Sequence, residues 1–205
     1  MAEAPEIKSL GDAALSIEFG DAIDPAINAR VMALFAALEA ARAEGALPGL
    51  SETVPSFRAL AVHYDPLRTS RDAIEAALAP YIAAAEAEAK VGSTWVLPAC
   101  YEGDEFAPDL ADVAARAGIT PDEVVALHTN ADFRVYILGF VPGFAYLGGV
   151  PEAIRLPRRT DPRTAVPAGS VAIAGEMSGV YPLTSPGGWH LIGRCPVPMF
   201  DPRQD

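Results

Sequence analysis

Glycine and proline are spread so unevenly along this chain that its two parts cannot fold by the same plan. Up to Lys90 the 205-residue sequence holds four glycines and six prolines; from Val91 onward it holds thirteen of each. Proline fixes φ and removes a backbone donor, and glycine weakens helix interiors, so the second stretch cannot be built from long helices. The expected architecture is α+β in two domains. Residues 1–90 form a small α+β domain, and residues 91–205 form a mostly β domain of barrel or sandwich type, its short strands set between Gly/Pro turns.

The first stretch supports this locally. Ala13–Phe19 and Ala59–His63 read as strands. Asp24 followed by Pro25 is a cap with proline at the first helical position, and Ile27, Val31, Leu34 and Leu38 recur on one helical face until Gly45 stops the helix. A second helix begins near Ser70, carries Ile74, Leu78 and Ile82 on one face, and is interrupted or kinked at Pro80. The segment Ala83–Lys90 reads as a helix end running into a linker. Beyond it, Thr94–Tyr101 reads as a strand. Helices are expected around Leu110–Ala117 and Pro121–His128, the latter opened by a capping box of Thr120 and Glu123. Phe133–Phe140, Ser170–Ala174 and His190–Gly193 read as short strands.

Composition removes several function classes. With 51% hydrophobic and 20% charged residues the chain is globular, and a net charge of −12 makes nucleic acid and anionic membrane poor partners. The N-terminal MAEAPEIKSL lacks the basic region and apolar run of a signal peptide, and no apolar segment reaches membrane-spanning length, so the expected location is cytoplasmic. Two distant cysteines, Cys100 and Cys195, fit a reducing compartment while leaving one disulfide open. Lys8 and Lys90 are the only lysines, and neither sits in a nucleotide-binding G-x-x-x-x-G-K-[ST] motif. No G-x-S-x-G elbow is present, and His63, His128 and His190 form no metal-ligand spacing, so no metal is expected. A catalytic role therefore points to one component of a larger enzyme.

Two segments carry the candidate chemistry: GFVPGFAYLGG at 139–149 and PLTSPGGWHLIGR at 182–194. In the first, Pro142 and Gly143 shape the turn while Phe140, Phe144 and Tyr146 are placed to line a pocket. In the second, Ser185 offers a hydroxyl, Gly187 and Gly188 offer backbone N–H groups, and Trp189 offers a stacking face. Packing explains the same residues: tight β corners need glycine, and aromatics fill cores. Between Arg134 and Arg194 the charge reverses, with Arg134, Arg155, Arg158, Arg159, Arg163 and Arg194 against Glu152, Asp161 and Glu176. The run LPRRTDPR sets prolines between arginines on a stiff loop, which favours an anion site over solvated charge.

The succession GFVPGFAYLGG, RLPRRTDPRTAVPAGSVAIAG and GVYPLTSPGGWHLIGR resembles the KipI/PxpB family, also called allophanate hydrolase subunit 1 or carboxyltransferase subdomain C/D, over essentially the whole chain. The resemblance implies a small α+β N-terminal domain followed by a cyclophilin-like β-barrel. It also implies the role of the B component in a bacterial 5-oxoprolinase, which opens 5-oxoproline (a small anionic lactam) to glutamate using ATP. The implied partners are a homologous C subunit (PxpC/KipA-like) and an A subunit (LamB/YcsF-like), and ATP enters through the complex. Relatives also include an inhibitor of a sporulation histidine kinase and a module of a biotin-dependent urea carboxylase, which keep a regulatory and a carboxyl-transfer reading open. On the enzyme reading, Arg159 or Arg194 holds the substrate carboxylate and the Gly187–Gly188 donors face the lactam oxygen. His128 is the candidate general base, with a capping or core histidine as the alternative. The sequence departs from the family pattern at Ala145, where proline is usual, and at Glu176-Met177-Ser178, where a Gln-Thr pair is usual.

Overall fold

The computed structural model describes residues 4–85 and 92–203. The chain divides into two compact units, Met1–Ser93 and Thr94–Asp205. The expected boundary at Lys90 and Val91, with most of the expected linker, lies outside the described residues. Helix and strand are mixed in both units, as an α+β chain requires. Among the described residues, no helix is long and apolar enough to cross a membrane.

The first unit is an antiparallel sheet with two helices. Its strands are β1 (Glu6–Ser9), β2 (Ala14–Glu18), β3 (Leu50–Pro55) and β4 (Ala59–Tyr64), in the order β1-β2-β4-β3. The helices are α1 (Pro25–Ala43) and α2 (Arg71–Ala84). Asp24 caps α1 by accepting from the N–H groups of Ala26 and Ile27 at 2.7 and 3.1 Å. Val31, Leu34 and Leu38 then fall on one face and pack on Leu15, Ile17, Leu60 and Val62 of the central strands, with Ile74 and Leu78 of α2 completing the core. Of the two expectations at Pro80, interruption does not occur: α2 runs through Pro80 to Ala84. The edge strands β1 and β3 escaped the sequence reading because EIKS and LSETVP show little of the alternation that a half-buried strand imposes.

In the second unit α3 (Leu110–Ala117) and α4 (Pro121–Thr129) precede seven short strands. These are β5 (Arg134–Leu138), β6 (Ala145–Gly148), β7 (Arg163–Val166), β8 (Ser170–Ala174), β9 (Met177–Val180), β10 (Ser185–Gly187) and β11 (His190–Arg194). Five of them form an antiparallel sheet in the order β11-β8-β9-β6-β5, while β10 pairs with β7 in a separate two-stranded ribbon. The pairings among the described residues do not close into a barrel. Val113, Val124, Val150, Ile154, Ile173 and Ile192 form the core between helices and sheet.

The expected strand at Thr94–Tyr101 is absent. Trp95 and Val96 are 83% and 91% exposed, and Cys100 alone pairs, as an isolated bridge to Arg194 with backbone hydrogen bonds of 2.8 Å in both directions. That register also settles the cysteines. Cys100 lies opposite Arg194 and is exposed, whereas Cys195 is the next residue along, points to the other face and is buried; both are free thiols.

The capping box of α4 is present in full: Thr120 Oγ1 accepts from Glu123 N–H at 3.2 Å and Glu123 Oε2 accepts from Thr120 N–H at 2.7 Å. Thr120→Ala is expected to cost about 1 kcal/mol, read as a lower urea midpoint with an unchanged slope. An unshifted midpoint would show that the box contributes nothing.

Candidate functional site

The two glycine-rich segments meet through their aromatic side chains. The first forms the hairpin between β5 and β6, closed by Gly139 N–H to Phe144 O and Phe144 N–H to Val141 O, each 3.1 Å. The second runs through β10 into β11. Phe144, 2% exposed, stands at the centre, edge-on to Phe140 (5.7 Å between ring centroids), Tyr146 (4.9 Å), Tyr181 (5.2 Å) and Trp189 (5.6 Å). Tyr146 also meets Trp189 at 5.8 Å. Edge-to-face pairs at these spacings add about 0.5–1.5 kcal/mol each beyond area burial. Much of the aromatic content is therefore core, as the packing reading held.

The rim of the cluster is not core. Phe140 is 58% exposed and adopts φ of +72°, a left-handed conformation that costs a bulky residue of order 1–3 kcal/mol. Pro142 and Gly143, also exposed, shape the turn behind it; Gly143 has φ of +81°, and a Cβ there would press on Phe200, Met199 and Pro182. Gly187 has a packing reason to be glycine, since a methyl group would collide with Tyr181 Oη. Gly188 is half-buried and its carbonyl accepts from Arg159 N–H at 2.8 Å. Ser185 is buried, and its Oγ has no hydrogen-bond partner among the described residues. Burial raises the Tyr181 hydroxyl, Arg158 opposes it, Tyr146 adds to it, and Arg163 opposes it, leaving the pKa above the usual tyrosine value.

The arginines chosen from sequence, Arg159 and Arg194, each have a structural partner, although the buried Nε of each has none among the described residues. Arg159 Nη1 donates to Asp109 at 3.0 Å, and Arg163 forks onto the same carboxylate with bonds of 2.9 and 2.8 Å. Leu191 N–H donates to Asp109 Oδ2 at 2.7 Å. Burial pushes the Asp109 carboxyl up, but the Arg163 and Leu191 hydrogen bonds and the two arginine charges outweigh it, leaving the pKa below the usual carboxylate value. Arg194 stacks on Phe106 at 5.5 Å and donates to Glu105 O at 3.4 Å. Neither guanidinium contacts the aromatic cluster among these interactions. Arg155 pairs with Glu176 at 3.1 Å.

The contacts of His128 are those of a core histidine, the alternative to a general base. Ser178 Oγ–H donates to Ala172 O at 3.1 Å, so it accepts from His128 Nε2–H at 3.0 Å. His128 Nδ1 is then the acceptor for Tyr101 O–H, also at 3.0 Å. Both ring nitrogens are spent, Phe133 covers the ring at 4.8 Å, and burial pushes the imidazole pKa down from 6.5 to about 4. Ser178, one of the departures from the family pattern, is thereby explained as a partner of His128.

Sequence reading missed Asp109, Tyr181 and Ser178. Asp109 precedes a helix and looks like a local cap, yet its side chain makes no cap bond and reaches instead to β7, β11 and the loop between Pro157 and Pro162. A shallow apolar groove lies elsewhere, along α4 beside Ile119, Leu127 and Pro151, and none of its lining residues belongs to the glycine-rich segments. Among the described residues, no group of three or more His, Cys, Asp or Glu is placed to hold a metal.

Comparison with known proteins follows these contours. The family model for the carboxyltransferase domain, subdomain C and D, matches residues 5–205. The 5-oxoprolinase B component of Bacillus subtilis is 39% identical over 98% of this chain and 86% of its own, and that of Escherichia coli O157:H7 is 42% identical over 78% and 72%. Among solved structures, TTHA0988 superposes with a TM-score of 0.80 at 38% identity, covering 94% of this chain. This chain spans only 36% of TTHA0988.

Proposed function

This chain belongs to the family of carboxyltransferase subdomains C and D, and from that premise we propose that it is the B component of an ATP-dependent 5-oxoprolinase. The observation that carries the reading is the extent of the likeness to the Bacillus subtilis protein, which runs through both units and 98% of the chain. The names of the curated relatives do not favour the kinase-inhibitor or carboxyl-transfer alternatives.

In this reading the exposed rim around Phe140 and the SPGG segment form one wall of a site completed by a C subunit of related fold. The substrate, a small anionic lactam, lies against Phe140 with its ring on the apolar side, and the Gly187 and Gly188 backbone donors face the lactam oxygen. The strained φ of Phe140 supports it, since backbone strain persists where the surroundings enforce it, often at ligand contacts. ATP is assigned to the partner subunits, because this sequence has no phosphate-cradling loop. The complex acts in the cytoplasm, with the A subunit as third member. The cyclophilin-like character of the second unit is part of the same proposal; it comes from the family resemblance, whereas the strand pairings give open sheets.

Co-expression of the tagged chain with the C and A subunits tests the assembly. The C subunit is expected to co-purify in fixed stoichiometry. A chain that elutes alone at concentrations well above micromolar would contradict this reading.

A further inference from the structure

Of the arginines in the basic stretch, Arg155, Arg159, Arg163 and Arg194 each have the guanidinium placed by a carboxylate, a carbonyl or a ring. Arg158 is different. It is exposed, and it makes no ion pair or side-chain hydrogen bond among the described residues. Its backbone is nonetheless fixed from both sides by the SPGGWH segment. Pro157 O accepts from His190 Nε2–H at 2.9 Å, and Arg159 N–H donates to Gly188 O at 2.8 Å. The inward ion pair of Arg159 with Asp109 anchors the next residue as well.

A long cation is thus held on a hydrogen-bonded stretch of loop beside Gly188 and Trp189, which link β10 to β11. Its charge opposes the effect of burial on the Tyr181 hydroxyl. The strand just before that link, β10, holds Ser185, whose buried Oγ lacks a partner among the described residues. Arg134 also makes no ion pair among the described residues, but it stands at the far end of β5 from the Phe140 hairpin, opposite Gly148.

We propose that Arg158 is the anion contact of this face: its guanidinium takes the carboxylate of the acid bound against Phe140 and the SPGG segment, and so selects acids over their neutral amides. The proposal rests on the 5-oxoprolinase reading and replaces Arg159 and Arg194 as carboxylate anchors. A guanidinium with no structural partner is available to a ligand without breaking any contact of the fold, whereas Arg159 would first have to abandon Asp109. The fork geometry of arginine suits a carboxylate, which takes two parallel N–H bonds.

The test uses the assembled complex, with 5-oxoproline as substrate and its carboxamide as substrate or competitive inhibitor. Arg158→Ala is expected to raise the KM for the acid about ten- to a hundredfold, the equivalent of one lost charge-assisted contact. Affinity for the carboxamide and the Tm should stay at wild-type values. Arg158→Lys should recover part of the loss, and Arg134→Ala should leave the acid-to-amide ratio unchanged. An Arg158→Ala complex with unchanged KM for the acid, or with equal losses on acid and amide, overturns the proposal while leaving the functional reading intact. A wild-type complex with no activity on 5-oxoproline overturns both, and is seen before any substitution is made.

Discussion

Replacing Asp109 with alanine is expected to destabilise the second unit by about 3–5 kcal/mol, the range for removing one partner of a buried ion pair. The carboxylate is 6% exposed and receives three arginine bonds and the Leu191 N–H, so its loss strands two guanidiniums and one backbone donor together. Arg159 and Arg163 keep 30% and 26% of their side-chain exposure, which lets water soften the loss and places it at the lower end of that range. For a unit of this size the corresponding fall in Tm is on the order of 10 °C. Asp109→Asn should lose less, because an amide oxygen still accepts from Leu191. An alanine variant that melts with wild type would show that the loop and β7 are held by other contacts. What the cluster supplies is placement more than net stability, since burying the charges costs much of what their attraction returns. It fixes the loop that carries Arg158.

Acidification supplies the second large effect. Stability of the second unit is expected to fall by about 3 kcal/mol between pH 6.5 and pH 4, because burial lowers the His128 pKa from 6.5 to about 4. The sign follows from proton uptake. Between those values the unfolded chain binds a proton that the folded one refuses, so stability is complete above pH 6.5 and is lost as pH falls toward 4. Asp109 acts in a lower window: its depressed pKa withdraws stability only as pH drops below the ordinary carboxylate value of 3.8. His128→Gln, whose amide can donate to Ser178 and accept from Tyr101, should flatten the decline above pH 4 while costing some stability at neutral pH. Urea melts at several pH values read this directly. A decline of the same size in the glutamine variant, or a His128 ring titrating near 6.5 by NMR, would contradict the buried neutral imidazole.

Local signals in the sequence translated well into structure. Asp24-Pro25, the Val31–Leu34–Leu38 face and the Thr120/Glu123 box each specify their element within one or two helical turns, and each is found as expected. Signals that depend on distant partners did not translate. The strands β9 and β10, MSGV and SPG, are too short and too evenly or too poorly buried to show a period of two. Thr94–Tyr101 has strand composition but no neighbour to pair with beyond Cys100. At the site, the two aromatic segments were legible from their glycines and rings, whereas the packing of Phe144 against Trp189 depends on contacts forty-five residues apart. The division of labour among the arginines was not, because adjacent residues take opposite directions: Arg159 turns inward to Asp109 while Arg158 faces solvent. Counting charge along a loop cannot see a carboxylate fifty residues away.

The central claim is that this chain is one indispensable part of a shared 5-oxoprolinase site. The most direct test is 5-oxoproline-dependent glutamate formation, coupled to ATP hydrolysis, in mixtures of the purified subunits. No turnover is expected from this chain alone, none from the C and A subunits without it, and activity when all three are combined. Full activity in a mixture lacking this chain, or turnover by the chain alone, would contradict the claim.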